Sequence, residues 1–365
     1  METGSLAAME RLGIVGLPNA GKSALFNALT GGSAVVASHP FSTTETNVGV
    51  AQVPDHRLVA LAEMSKSKKT VFTTVEFVDI AGLVAGASSG EGLGNRFLAG
   101  IREVDALCLV LRAFEDDNVV GGADPVDDLQ VLELELVLAD ATTVENQVEK
   151  RRKAARADKS LVAEVAALDA ALVALQGGNP IYRSTLDADQ RSLLKPFFLL
   201  TNKAILPLIN VSEDQLDEAD ALSKRVSEEL GGHEVVAVSV QLEAEASQLD
   251  PGERTELLEG LGLGEGALPR VARAAYHLLG RRTFLTTGDK ESRAWTFRAG
   301  AKAPECAGVI HSDLQRGFIR AEVIHWDELL ELGSWHAAKE VGKLRVEGKE
   351  YEVVDGDVLE IRFNV

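Results

Sequence analysis

Residues 16–23 read Gly16-Leu17-Pro18-Asn19-Ala20-Gly21-Lys22-Ser23, and the reading of this stretch decides the fold. It fits G-x-x-x-x-G-K-S, a spacing whose glycines let backbone N–H groups converge on phosphate oxygens. The flanks agree with it. Residues 11–16 predict a short buried strand and residues 23–29 a helix, so the loop feeds a helix N-terminus whose dipole favours an anion. Lys22 is placed to reach the β- and γ-phosphates of a nucleoside triphosphate, and the Ser23 hydroxyl to ligate Mg²⁺. Asn19, Ala20, Gly21, Lys22, Ser23 and Ala24 are the candidate phosphate-side residues.

Working downstream, Val75-Glu76-Phe77-Val78-Asp79-Ile80-Ala81-Gly82 ends a strand pattern with D-x-x-G. Asp79 is expected in the Mg²⁺ shell, and the Gly82 N–H is expected to sense the γ-phosphate. Between the two motifs lies Phe41-Ser42-Thr43-Thr44-Glu45-Thr46-Asn47, the natural first switch. Thr43 is the residue expected to close on Mg²⁺, with Thr44 as its neighbouring alternative. Lys22, Thr43 and Gly82 are thus the catalytic candidates, and Ser23, Thr43 and Asp79 the metal ligands. The glycine-rich residues 86–94 read as a second switch, because glycine lowers the cost of reordering when the γ-phosphate is lost. Leu83 follows Gly82 where Ras-type switches carry a water-orienting Gln. Leucine neither donates nor accepts a hydrogen bond, so slow turnover is expected, with the water-positioning group unassigned.

Base recognition turns on what is missing. A guanine-specific protein would carry N-K-x-D, whose Asp accepts two N–H bonds from guanine. Asn202-Lys203-Ala204-Ile205 has Ile205 at the acid position and opens a strand-like run rather than ending one. Asn210-Val211-Ser212-Glu213 lies at the end of residues 204–210, where the base site belongs, but lacks both the Lys and the Asp. Adenine is therefore the favoured base. Asn210, Val211, Glu213 and Ser239 complete the set of cofactor-binding candidates.

Strand-like runs at residues 49–53, 71–78 and 106–111 alternate with helical patterns, which points to a doubly wound, mostly parallel α/β sheet. From residue 127 to 176 the chain has no Gly or Pro, and leucines recur at helical spacing. This predicts an antiparallel helical hairpin, closed by Gly177-Gly178-Asn179-Pro180, with the basic run Lys150-Arg151-Arg152-Lys153, Arg156 and Lys159 near its tip. Strand patterns at 204–210 and 235–240 resume the sheet, so the hairpin is inserted. The expected division is a nucleotide-binding domain at 11–127 and 196–279, the hairpin at 128–195 and a small α+β domain at 280–365.

Composition narrows the setting. With 365 residues, 45% hydrophobic and 25% charged, the chain is globular in make-up. The formal net charge of −19 argues against diffuse or sequence-specific DNA binding, though not against a local basic patch. Residues 280–365 hold 13 Lys and Arg against 15 Asp and Glu, so the acid is concentrated ahead of them. No apolar run approaches a membrane span, and residues 1–10 lack a signal-like pattern; a cytoplasmic protein is expected. The two cysteines, Cys108 and Cys306, match no metal-ligand spacing, and Cys108 reads as a reduced core thiol.

Residues 16–23, 40–50, 79–105, 210–213 and 294–320 together resemble the YchF subfamily of Obg-like ATPases, a translation-factor-related P-loop class. The most specific matches are Asp79-Ile80-Ala81-Gly82-Leu83-Val84 and Gly90-Glu91-Gly92-Leu93-Gly94-Asn95. The resemblance implies a P-loop G-domain with an inserted helical hairpin, a C-terminal β-grasp (TGS-like) domain, a preference for ATP, and association with the ribosome or its RNA. It also implies that Leu83 is the hydrophobic substitute for the Gln and that Asn19 holds an activating K⁺. One departure matters. Relatives often carry a His shortly after the segment matching residues 114–120, whereas here Gly121-Gly122-Ala123 follows, so that role is not carried over. His39 is the nearest alternative in sequence.

Overall fold

The computed structural model describes residues 10–31, 35–37, 46–80, 93–115 and 123–364. Its strands in chain order are β1 Arg11–Gly16, β2 Val35–Ala37, β3 Thr46–Val53, β4 Thr70–Val71, β5 Thr73–Asp79, β6 Ala106–Arg112, β7 Ala204–Asn210, β8 Val236–Val238, β9 Arg281–Thr286, β10 Ser292–Arg298, β11 Phe318–His325, β12 Arg345–Glu347 and β13 Asp357–Phe363. Two compact units result, one of Glu10–Ala51 with Glu76–Val271, the other including Gln52–Val75 and Ala272–Val365.

The larger unit is built on a seven-stranded sheet in the order β2-β3-β5-β1-β6-β7-β8. The pairs β5·β1, β1·β6, β6·β7 and β7·β8 are parallel, and β2·β3 is antiparallel. Strand β6 is buried at all seven positions, as a central parallel strand covered on both faces must be. Its Leu107, Leu109 and Leu111 share one core cluster with Leu129, Leu132 and Leu136 of the helix Pro125–Ala155. That helix has 31 residues, about 46 Å at 1.5 Å per residue, so it outruns the sheet. Asp124 caps it by accepting from Val126 N, and Pro125 occupies its first turn. Beyond the sheet, Val137, Val144 and Val148 pack on Ala167, Leu168, Ala171 and Leu175 of the helix Val162–Gln176. Arg152 meets Asp169 and Gln176 meets Glu145, which fixes the two helices as antiparallel.

The hairpin grows out of the sheet's own covering helix, so the expected boundary at residue 128 falls inside a continuous helix. Its return is pinned by Asp140, fully buried, which accepts from Leu200 N, Thr201 N and Thr201 Oγ1 at 2.9, 2.7 and 2.7 Å.

The second unit carries a mixed sheet in the order β12-β11-β13-β9-β10-β4. Here the structure corrects the expected domain division: residues 52–75, assigned from sequence to the nucleotide-binding domain, belong to this unit. The helix His56–Met64 buries Leu58 and Leu61 in a cluster with Leu285, Ala294, Ile324, Leu329 and Val358, at about 2 kcal/mol for each leucine. Strand β4 extends the sheet edge by pairing with β10, and Arg57 bonds Asp55 and Asp355. Residues 350–354 contribute an isolated bridge between Lys302 and Glu352, and β9, which opens with two arginines, joins the sheet beside β10.

Candidate nucleotide-binding site

Parallel register brings the C-terminal ends of β1, β6, β7 and β8 to one edge of the large sheet: Gly16 lies opposite Val110, Arg112 opposite Asn210, and Asn210 opposite Val238. Ligands of such sheets bind at this edge. A Cβ on Gly16 would sit 2.5 Å from Val110 O, so only glycine lets the chain leave β1 this close to β6. The loop then turns through two left-handed residues, Asn19 at φ 59° and Gly21 at φ 95°, and enters the helix Lys22–Thr30. No side chain caps that helix, so its first N–H groups stay directed at the loop's concavity.

Lys22 is 8% exposed and donates from Nζ to Leu17 O at 2.7 Å, back across its own loop. Burial pushes its ammonium below the ordinary lysine value, with the Asp79 carboxylate acting in the opposite sense. Ser23 Oγ donates to Asp79 Oδ2 at 2.9 Å, joining the helix start to the end of β5. Burial raises the Asp79 carboxyl above its usual range, opposed by the Ser23 bond and by Lys22. The pair presents two hard oxygen donors side by side, the kind of partial shell that Mg²⁺ takes up when phosphate and water complete its octahedron. Among the described residues no cluster of three or more His, Cys, Asp or Glu could hold a metal by itself. Ser23 and Asp79 fit an ion brought with a nucleotide.

Asn210, 5% exposed, ties the loop to the base side. Its Nδ2 donates to Ala20 O at 3.0 Å and its Oδ1 accepts from Val240 N at 3.1 Å. Ala20 is fully buried and Ala24 exposed. Val211 turns its side chain into the sheet core and spends its N–H on Val238 O, so it lends shape rather than a hydrogen bond. Glu213 is exposed at the start of the 3-10 helix Glu213–Glu218, in which Ser212 and Gln215 form a capping box. Ser239 is buried at the tip of β8. Asn202 and Lys203 stand at the other end of β7: Asn202 bonds Arg191, and Lys203 Nζ donates to Val104 O. Residues 202–205 thus open β7 and Asn210 ends it, as the sequence reading expected.

Thr43, Thr44, Gly82, Leu83, His39 and Gly121 lie outside the described residues, as does most of each expected switch. Two residues went unnoticed from sequence. Val240 completes the Asn210 bridge through its N–H, which almost any residue supplies, so no side-chain signal exists. Arg112, buried at the tip of β6 beside Asn210, could have been flagged as a charge ending an otherwise apolar strand.

Comparison with known proteins agrees with this construction. Residues 11–147 match a family model described as a 50S ribosome-binding GTPase, and residues 282–364 match YchF-GTPase_C, described as a protein of unknown function. A "Ribosome-binding ATPase YchF" of Bacillus subtilis (strain 168) is 48% identical, with 97% of this chain and 99% of the relative covered. Its counterpart of the same name in Haemophilus ducreyi (strain 35000HP / ATCC 700724) is 47% identical over the same shares. The solved structure of the Schizosaccharomyces pombe YchF GTPase superposes with a TM-score of 0.83 at 33% identity, covering 97% of each chain. The glycine-rich loop, the Ser23–Asp79 pair, the Asn210 bridge and the mixed C-terminal sheet thus sit in a frame shared over nearly the whole length, and the chain belongs to the YchF family.

Proposed function

We propose that this protein is a Mg²⁺-dependent ATPase that binds the ribosome in the cytoplasm and turns over slowly, acting as a nucleotide-controlled switch. The observation that carries the reading is the Ser23–Asp79 pair, at 2.9 Å, beside an uncapped helix start with Lys22 folded across it. The relatives' printed name supplies ATP and the ribosome. In this reading the loop N–H groups and Lys22 bind the phosphates, with Lys22 leaving Leu17 O for the ligand. Ser23 and Asp79, with Thr43 from the first switch, hold Mg²⁺. The ion, when bound, offsets charge on the β- and γ-phosphate oxygens. Gly82 contributes an N–H toward the γ-phosphate. Leu83 cannot orient water, which sets the slow rate. In the same reading Asn19, an exposed residue with a left-handed backbone, lends its amide oxygen to a K⁺ ion at the phosphates.

On the base side Asn210 already donates to Ala20 and accepts from Val240, and Glu213 replaces the aspartate that would accept from guanine. A GTPase reading has its own support in the matched 50S ribosome-binding GTPase model and in the S. pombe title. A competition titration separates the two: ATP is expected to displace a labelled nucleotide at lower concentration than GTP, and the reverse order overturns the adenine assignment. Turnover is expected to vanish with EDTA and in Lys22→Ala. Ribosome cosedimentation is expected to differ between a non-hydrolysable ATP analogue and ADP; equal recovery in both overturns the switch.

A further inference from the structure

At the edge of the large sheet away from the phosphate loop, an open groove of about 720 Å³ is lined by the end of the helix Leu93–Arg102, the middle of the helix Pro125–Ala155 and residues 196–203. Val104 and Lys203, just ahead of β6 and β7, complete the wall. Asn210 ends β7 about 20 Å away, at 3.3 Å per residue, so the groove shares no residue with the nucleotide site.

Phe198 and Arg102 stand out in this lining. Phe198 leaves 62% of its surface exposed and holds φ 51°, a left-handed conformation that bulky residues seldom take. It caps the 3-10 helix Lys195–Phe197, which keeps the strained turn in place. The Arg102 guanidinium donates to Phe198 O at 3.5 Å and to Thr143 Oγ1 at 3.4 Å, both beyond the usual range of roughly 2.7–3.2 Å. Neither acceptor is a carboxylate, and Arg102 acts on the buried Asp140 only through space. The other two cations of the lining are taken. Arg151 meets Glu164 at 3.1 Å and stacks over Phe197, and Lys203 Nζ donates to Val104 O and Arg102 O.

We propose that this groove docks a segment of a partner protein in which a carboxylate lies beside an apolar side chain. The carboxylate takes the Arg102 fork in a charge-assisted pair, and the apolar side chain covers the Phe198 ring. Aromatic rings and arginines are where binding energy concentrates at protein interfaces. The acids of the lining decide against a nucleic acid. Glu103 and Asp105 are exposed in the same wall, and a phosphate chain would meet both in exchange for one open guanidinium. A single carboxylate needs only the fork.

The test is fluorescence anisotropy on the full chain with three labelled probes: a peptide whose aspartates flank a leucine and a phenylalanine, its counterpart with lysine for each aspartate, and octauridylate. The acidic peptide is expected to bind saturably, and the lysine counterpart roughly tenfold more weakly or worse, the worth of one hydrogen bond to a charged group. Arg102→Gln and Phe198→Asn should each weaken the acidic peptide about tenfold. Asparagine tolerates the left-handed turn, so Phe198→Asn should also melt within about 3 °C of wild type. A larger drop would make Phe198 a packing residue and overturns the proposal. So does an acidic peptide that fails to saturate, or that binds both variants as well as wild type. Octauridylate that binds more tightly than the peptide, and is lost in the same variants, gives the groove to RNA. Dimers in sedimentation that Phe198→Asn dissociates give it to a second copy of the chain. Either result overturns the assignment to a partner protein.

Discussion

Gly21 and Asn210 meet at one point, and that point sets how tightly the phosphate loop is held. A Cβ on Gly21 would lie 2.3 Å from Asn210 Nδ2, on a residue whose φ of 95° already disfavours any side chain. Gly21→Ala must therefore break the Asn210–Ala20 bond or refold the loop. It is expected to weaken ATP binding by about 100-fold, the sum of a strained φ and one lost buried bond, in a protein whose circular dichroism is unchanged. Calorimetric titration checks it; wild-type affinity would show that the bridge is incidental. Asn210→Asp separates the two halves of the bridge. The carboxylate still accepts from Val240 N but cannot donate to Ala20 O, so about a tenfold loss of nucleotide affinity is expected. At this scale the sequence was legible where the loop's geometry rests on backbone freedom or a specific side chain: Gly16 and Gly21 turn the chain, Lys22 folds back across the loop and Ser23 bonds Asp79. It was silent on Val240, which acts through a group every residue but proline carries. It also gave Val211 a ligand contact where the side chain packs in the core, because the strand's last alternation cannot be phased without its neighbours.

Elements were legible in proportion to how local their stabilisation is. The hairpin announced itself through leucines at helical spacing, and both helices formed. The helix His56–Met64 and β4 left no such trace of their allegiance, because Leu58 and Leu61 find their partners more than 200 residues away, in β9 and beyond. Asp140 is the element-scale counterpart of the Asn210 bridge, a buried carboxylate fastening the chain's return from the hairpin to the helix that left the sheet. Asp140→Ala leaves two backbone N–H groups buried without an acceptor and is expected to cost about 3 kcal/mol in urea unfolding. Its pH dependence has a definite sign. Burial raises the Asp140 carboxyl in the folded protein, against the backbone and side-chain bonds from Thr201 and Leu200. The folded state then binds more protons than the unfolded one between the ordinary and the raised value. Wild-type stability contributed by Asp140 therefore grows as pH falls through the raised value, and the gap to Asp140→Ala widens on mild acidification. A gap that narrows would show that the bonds outweigh burial.

For the molecule as a whole, burial and charge decide what reaches it. Both cysteines are fully buried, one in each unit, and burial pushes each thiol up to about 12. At pH 8 the thiolate fraction is about one in ten thousand before access is considered. Neither thiol is expected to react with a maleimide over an hour in the folded protein, and both should react in denaturant. The charge raises a harder question: if the proposed ribosome binding runs through RNA, a chain at −19 must approach a partner that is itself anionic. Any such contact has to be made by a patch whose cations are not already paired. Around the hairpin turn Arg151 pairs with Glu164 and stacks over Phe197, while Arg152 is held by Glu149 and Asp169. Lys150, Lys153, Arg156 and Lys159 of that run are also exposed, as is the paired Arg152. If they meet the phosphates of ribosomal RNA, replacing all four with Gln removes about four released counterions. The logarithmic salt slope of ribosome binding should then fall by about 3, while ATP turnover in the absence of ribosomes stays at the wild-type rate. Cosedimentation across a potassium chloride series measures the slope. An unchanged slope would move the RNA contact off the hairpin and onto the C-terminal unit, where Lys339 and Lys349 lie exposed.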